Sequence, residues 1–156
     1  MGMLRQTRRI LSSSAGKQKE KHGNKTVLSG VPSSLPALIK AYRIQDKARG
    51  VGFDWESPED VWTKVEEELG ELREAISAGS PEEIEGEFGD FLFSVINAAR
   101  KYKVNPDNAL EATNRKFICR FTYVEQRSKE LGFSSLKEMT LGQMDELWDE
   151  AKAHGL

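Results

Sequence analysis

The chain holds a single cysteine, Cys119, two histidines and no apolar run approaching the 18 residues of a membrane span. One cysteine excludes an internal disulfide and fits a reducing, cytoplasmic setting. Its place inside a helical pattern reads as a buried, inert thiol. Neither His22 nor His154 lies near the acidic stretch described below, which argues against a zinc or histidine-based centre. No segment alternates apolar and polar residues as a half-buried strand does. Proline and glycine occur at punctuation points rather than in runs. Helical spacing dominates what remains, and the expected fold is all-α, a bundle of four to five helices.

Charge is unevenly spread. Residues 1–25 hold seven Lys/Arg and one Glu, whereas the rest holds sixteen Lys/Arg and twenty-four Asp/Glu. Residues 1–26 read as a basic flexible tail or as the remnant of a linker from a longer protein. Their Arg- and Ser-rich, acid-poor composition also suits a transit peptide. Residues 27–156 read as one domain, long enough to bury a core. The acidic body argues against a general nucleic-acid surface.

Proline, serine and threonine mark the helix starts. The first helix is expected over 34–49, capped by Ser34, with Leu35, Leu38, Ile39, Tyr42 and Ala48 near one face. The aromatic connector Gly52–Trp55 reads as packing. Ser57-Pro58-Glu59-Asp60 opens a second helix: an N-cap, a proline at its first position and acids in its first turn. That helix runs to about Ala78 on a stripe of Val61, Val65, Leu69, Leu72 and Ile76. Gly79-Ser80-Pro81 breaks the chain, and Ser80 with Glu83 has capping-box spacing for a third helix to about Tyr102. Asn105-Pro106-Asp107 begins a fourth, closed by Gly132, with an apolar face of Leu110, Phe117, Phe121 and Val124. It also carries a basic stripe of Lys116, Arg120, Tyr123 and Arg127. Thr140-Leu141-Gly142-Gln143 caps a last helix to about Ala153, whose apolar side includes Trp148.

The stretch Lys64–Asp90 carries the chemistry. Glu68 and Glu71 are three apart, as are Glu87 and Asp90, so each pair shares a helix face. A tight antiparallel hairpin about Gly79 sets Glu71 opposite Glu87 and Glu68 opposite Asp90. The same register pairs Val65 with Phe93 and Trp62 with Ile96. It also sets Gly89 and Gly86 against Leu69 and Leu72, as if for close helix approach. At about 4 Å and an effective dielectric near 20, each like-charge pair costs on the order of 4 kcal/mol. Four converging carboxylates therefore call for a cation or for protons. Oxygen-only ligands select Mg²⁺, Mn²⁺ or Ca²⁺. Such an ion in turn points to a phosphate-bearing substrate. Asn97, one turn beyond, and Lys64 join as weaker site candidates. The alternative is a solvated acidic face, as most charge runs are.

These residues resemble a known family. KVEEELGE (64–71) followed by EGEFGDFLFSVINAAR (85–100) is similar to the ExxE…ExxD signature of MazG-type nucleoside triphosphate pyrophosphohydrolases. The likeness continues through NRKFICRF (114–121) and MDELWDEAK, and reaches back to LPALIKAYRIQDKARGVGFDW (35–55), covering about 27–153. It is nearest to the C-terminal catalytic domain of two-domain MazG proteins, and the first domain of those proteins has no counterpart here. The resemblance implies an all-α fold completed by homodimerisation, with sites built between helices of both subunits and higher oligomers open. It implies Mg²⁺-dependent conversion of NTPs and dNTPs to monophosphates and pyrophosphate, Mn²⁺ being a possible substitute. By motif position Glu68, Glu71, Glu87 and Asp90 would hold the metal, and Glu67 would orient or deprotonate water. Lys116 and Arg120 would contact phosphates, and Trp148 would lie by the base. Broad base tolerance is expected, since no base-reading pocket is recognisable. The rival from another class is a helical regulatory or interaction module without catalysis. A dimetal carboxylate redox bundle is the second rival, and the absence of the Glu-x-x-His motif it needs argues against it.

Overall fold

The computed structural model describes residues 25–55 and 57–156. Most of the expected tail, residues 1–24, lies outside these described residues. Five α-helices follow in order: α1 (Ala37–Gly50), α2 (Pro58–Ala78), α3 (Pro81–Lys101), α4 (Pro106–Glu130) and α5 (Leu141–Ala153). A short 3₁₀ turn, Leu136–Glu138, precedes α5. No strand occurs among the described residues.

The chain divides into two compact units. In the first, which ends at Asp107, α2 and α3 pack side by side as a hairpin and α1 packs against α3. Its ends are chemically marked. Ser57 accepts from the Asp60 N–H, and Ser80 and Glu83 cap each other reciprocally. At Gly79 a Cβ would lie 2.7 Å from the Ala75 carbonyl oxygen, so the hairpin turn admits only glycine without rearrangement. The core is small: Val61, Val65 and Ala98 are buried with Trp55 and Phe91 against them. The helix 1 cap differs from expectation. Ser34 lies outside the helix, Pro36 stands at the N-cap, and no side chain caps the first turn.

Asp54 fastens the connector between α1 and α2 to the end of α3. Its carboxylate accepts from Arg100 Nη2 at 2.7 Å and Lys101 Nζ at 2.9 Å, with Arg49 Nε at 3.8 Å. Burial alone would raise the Asp54 pKa, but Lys101 and Arg100 outweigh it and hold the group below its ordinary value.

The second unit, Asn108–Leu156, packs Val124, Met139 and Leu147 with Phe133, Leu136, Met144 and Trp148 around them. α4 ends on Gly132 at φ 93°, where the Phe133 N–H reaches back to the Ser128 carbonyl. Glu150 accepts from Tyr123 Oη at 2.7 Å and Arg127 Nε at 3.0 Å, joining α5 to α4.

Four local expectations need correction. Gly86 and Gly89 face open space, with nothing within 4 Å of an added Cβ, so within one chain they do not serve close approach of α2 and α3. Trp62 is 46% exposed and donates to Tyr102 Oη at 2.7 Å, whereas Ile96 is buried. Cys119 is exposed on α4 rather than buried, because the face it shares lacks a covering element among the described residues. Apolar spacing reveals a helical face but not what covers it. Of Leu110, Phe117 and Phe121, read as the core face of α4, the first two are more than half exposed and Phe121 is 37% exposed; of that set only Val124 is buried.

Candidate functional site

The acidic site is built on the α2–α3 hairpin. Glu68, Glu71 and Glu87 each bring a carboxylate oxygen within 4.8 Å of the others, with Glu68 fully buried. The hairpin register expected about Gly79 thus appears in the Glu71–Glu87 pairing. Asp90, a methylene shorter than Glu, falls outside this trio. It lines a cavity that Glu68 also lines.

Lys64 sits beneath the trio. Its ammonium is 2.5 Å from Glu68 Oε1 and 3.4 Å from Glu67 Oε1. Burial would lower the Lys64 pKa, yet the Glu68 and Glu67 carboxylates outweigh it and keep the group above its ordinary value. Glu71 moves the other way for a carboxylate. Desolvation, then the charges of Glu68 and Glu87, raise its pKa, and Lys64 only partly offsets them. One ammonium is insufficient for this many acids. Glu68 Oε2 and Glu87 Oε2 are buried without a hydrogen-bond partner, a costly state for a carboxylate oxygen. These are hard oxygen donors converging on one point, and they fit a divalent cation of the Mg²⁺, Mn²⁺ or Ca²⁺ type.

Asn97 is also buried. Its Oδ1 accepts from Arg100 Nε at 3.1 Å and Nη2 at 3.0 Å. The remaining expected residues belong to the second unit. Lys116 is exposed on α4. Arg120 donates through Nε to the Leu156 carbonyl at 2.7 Å, and its guanidinium lies 5.7 Å from the centroid of Trp148. Trp148 packs at the edge of that unit's core, its ring 5.2 Å from Phe117. Tyr123 and Arg127, from the same stripe, are taken by Glu150.

Sequence reasoning passed over Gln45, which lines the same cavity as Glu68 and Asp90. A signal existed: Gln45 falls midway between Tyr42 and Ala48, a polar residue interrupting the apolar stripe of the first helix. Arg100 and Asp54 also line the cavity.

An all-α protein with a carboxylate trio suited to a divalent ion, Glu68 buried and Glu71 and Glu87 partly exposed, defines a narrow class. Residues 56–124 match the MazG nucleotide pyrophosphohydrolase domain. The chain is 44% identical over 137 residues to the nucleoside triphosphate pyrophosphohydrolase/pyrophosphatase MazG of Thermotoga maritima, covering 87% of this chain and 52% of that protein. It is 36% identical over 139 residues to the nucleoside triphosphate pyrophosphohydrolase of Escherichia coli, covering 86% and 51%. It is 47% identical over 138 residues to the uncharacterized protein YabN of Bacillus subtilis, covering 87% and 28%. Residues 56–124 belong to the MazG domain family. The chain spans about half the length of the first two relatives and less than a third of the last.

Proposed function

We propose that this chain hydrolyses nucleoside triphosphates, ribo or deoxy, to monophosphate and pyrophosphate, using Mg²⁺ or Mn²⁺ held by Glu68, Glu71, Glu87 and Asp90. The observation that carries this reading is the trio of carboxylates with two buried, unpartnered oxygens. The substrate class comes from the names of the Thermotoga and Escherichia relatives. A divalent ion held there supplies positive charge against the triphosphate and acidifies an attacking water.

The side chains divide the remaining work. Lys64 anchors Glu68 by its ion pair and keeps Glu67 within 3.4 Å. Glu67, partly exposed at the rim, is the residue assigned to orient or deprotonate water. Lys116 and Arg120 are assigned to the phosphates, where fixed cations stabilise charge on the leaving pyrophosphate. Trp148 is assigned to the face of the base.

We assign the working unit as a homodimer. α3 exposes Phe88, Leu92 and Val95 at one-turn spacing beside Gly89, and α4 exposes Leu110, Phe117 and Phe121. Contiguous apolar faces of this kind mark interaction surfaces. Size-exclusion chromatography should give a dimer, and Leu92→Glu should shift it toward monomer. An active wild-type monomer would sink the dimer assignment. No helix among the described residues is long and apolar enough to cross a membrane, and the reaction is assigned to the cytoplasm.

The test of the reaction is product analysis by anion-exchange chromatography, with Mg²⁺ and with EDTA. Monophosphate plus pyrophosphate, only with the ion, is expected. Diphosphate plus phosphate would refute the reaction, and no turnover by a folded protein would favour a non-catalytic module.

A further inference from the structure

The first unit contains a cavity of about 440 Å³, within the roughly 300–1,000 Å³ range of small-molecule pockets. Phe53, Trp55 and Phe93 give it an aromatic lining, and it shares Glu68 and Asp90 with the carboxylate site. A largely apolar, aromatic chamber beside a cation site has the chemistry for a planar base whose phosphates lie at the carboxylates.

Gln45 is the group in this chamber that folding alone does not explain. It is 7% exposed, and its Nε2 donates to the backbone carbonyl of Phe93 at 3.0 Å. A carbonyl can accept only from the NH₂ end, so this bond fixes which way the amide points. Oε1 is then a buried acceptor without a hydrogen-bond partner. An unpaired acceptor is unfavourable in an apolar wall. Asn97 lines the same cavity, and with Oδ1 committed to Arg100 its NH₂ remains as the donor arm.

Resting on the reaction proposed above but replacing its Trp148 assignment, since Trp148 does not line this cavity, we propose that the cavity takes the nucleobase and that Gln45 Oε1 accepts an N–H from the base edge. Asn97 offers the complementary donor to a ring nitrogen or carbonyl. Gln45 is then a specificity-determining residue, and base handling is more selective than the sequence implied.

The test compares ATP, CTP, GTP and UTP, each beside an analogue whose edge N–H is removed or methylated; purine riboside triphosphate serves for ATP. For at least one pair the wild-type protein should lose roughly 10- to 100-fold in kcat/KM, the usual effect of stranding a buried acceptor. Gln45→Met should erase that gap while the pyrophosphate product is unchanged. Equilibrium dialysis of the matching monophosphates in EDTA should rank them in the same order. The wild-type comparison needs no variant, so a misfolded Gln45→Met leaves the test intact. Equal kcat/KM within every pair, with pyrophosphate still formed, overturns the Gln45 assignment and leaves the reaction standing. No pyrophosphate from any nucleotide overturns both.

Discussion

The first unit keeps Lys64, Glu68, Asn97 and Arg100 out of solvent around a small apolar core, whereas the second buries Val124, Met139, Leu147 and Ala151, with Ser128 alone among polar residues. The second unit sets its charges, Glu150 with Tyr123 and Arg127, on a half-exposed surface where each acceptor has a donor. The first unit leaves two carboxylate oxygens and one amide oxygen buried without one. Buried charge weakens a fold unless it is paired. The contrast shows where stability has been spent. α4 and α5 make a helical pair that packing explains, while the α2–α3 hairpin holds carboxylates whose mutual repulsion a bound cation would relieve.

The sharpest way to break this contrast is at Glu71. Glu71→Ala should lower divalent-ion affinity by more than the 10–100-fold typical of residues that merely support metal ligands. Turnover should fall to background, as a pyrophosphate assay would read. The same change removes a repelling carboxylate, so the metal-free variant should melt no lower than the metal-free wild type.

In the second unit the largest effect should come from packing. Leu147→Ala, at a site 6% exposed, should cost about 2–5 kcal/mol in denaturant unfolding. Metal affinity should stay unchanged.

Asp54 tests the paired charges of the first unit. Asp54→Asn leaves Arg100 and Lys101 without their carboxylate and should cost on the order of 2 kcal/mol near neutral pH. Because the folded pKa lies below the ordinary 3.8, the wild-type advantage is complete above that value. It drains as pH falls through the lower folded value. Thermal melts of the two proteins should therefore converge in acid. A gap that persists at the lowest pH would remove the ion-pair account.

The smallest effect is one on which the units should agree. Ser80→Ala and Thr140→Ala each remove a capping box and should each cost about 1 kcal/mol by chemical denaturation.

Much of this architecture was legible because its signals are local. Ser57-Pro58, Ser80-Pro81 with Glu83, and Thr140 with Gln143 mark three helix starts within single turns, and the hairpin about Gly79 places Glu71 against Glu87 by counting alone. What escaped depends on distant partners. The role of Gln45 requires Phe93, 48 residues away. Arg100 and Lys101 find Asp54 across the connector. The exposure of Cys119, Phe117 and Gly89 depends on which faces stay uncovered, which periodicity cannot report. The 3₁₀ turn at Leu136–Glu138 is too short to show a period.

The account's central claim is that Glu68, Glu71 and Glu87 form a cation site whose repulsion the ion relieves. Thermal melts of wild type and Glu71→Ala in EDTA and in rising Mg²⁺ or Mn²⁺ test it most directly. Binding to the folded state alone should raise wild-type stability by about 2.7 kcal/mol at a hundredfold excess over Kd, with Glu71→Ala flat across the same range. A wild-type melt that is identical in EDTA and in saturating Mg²⁺ or Mn²⁺ would contradict it.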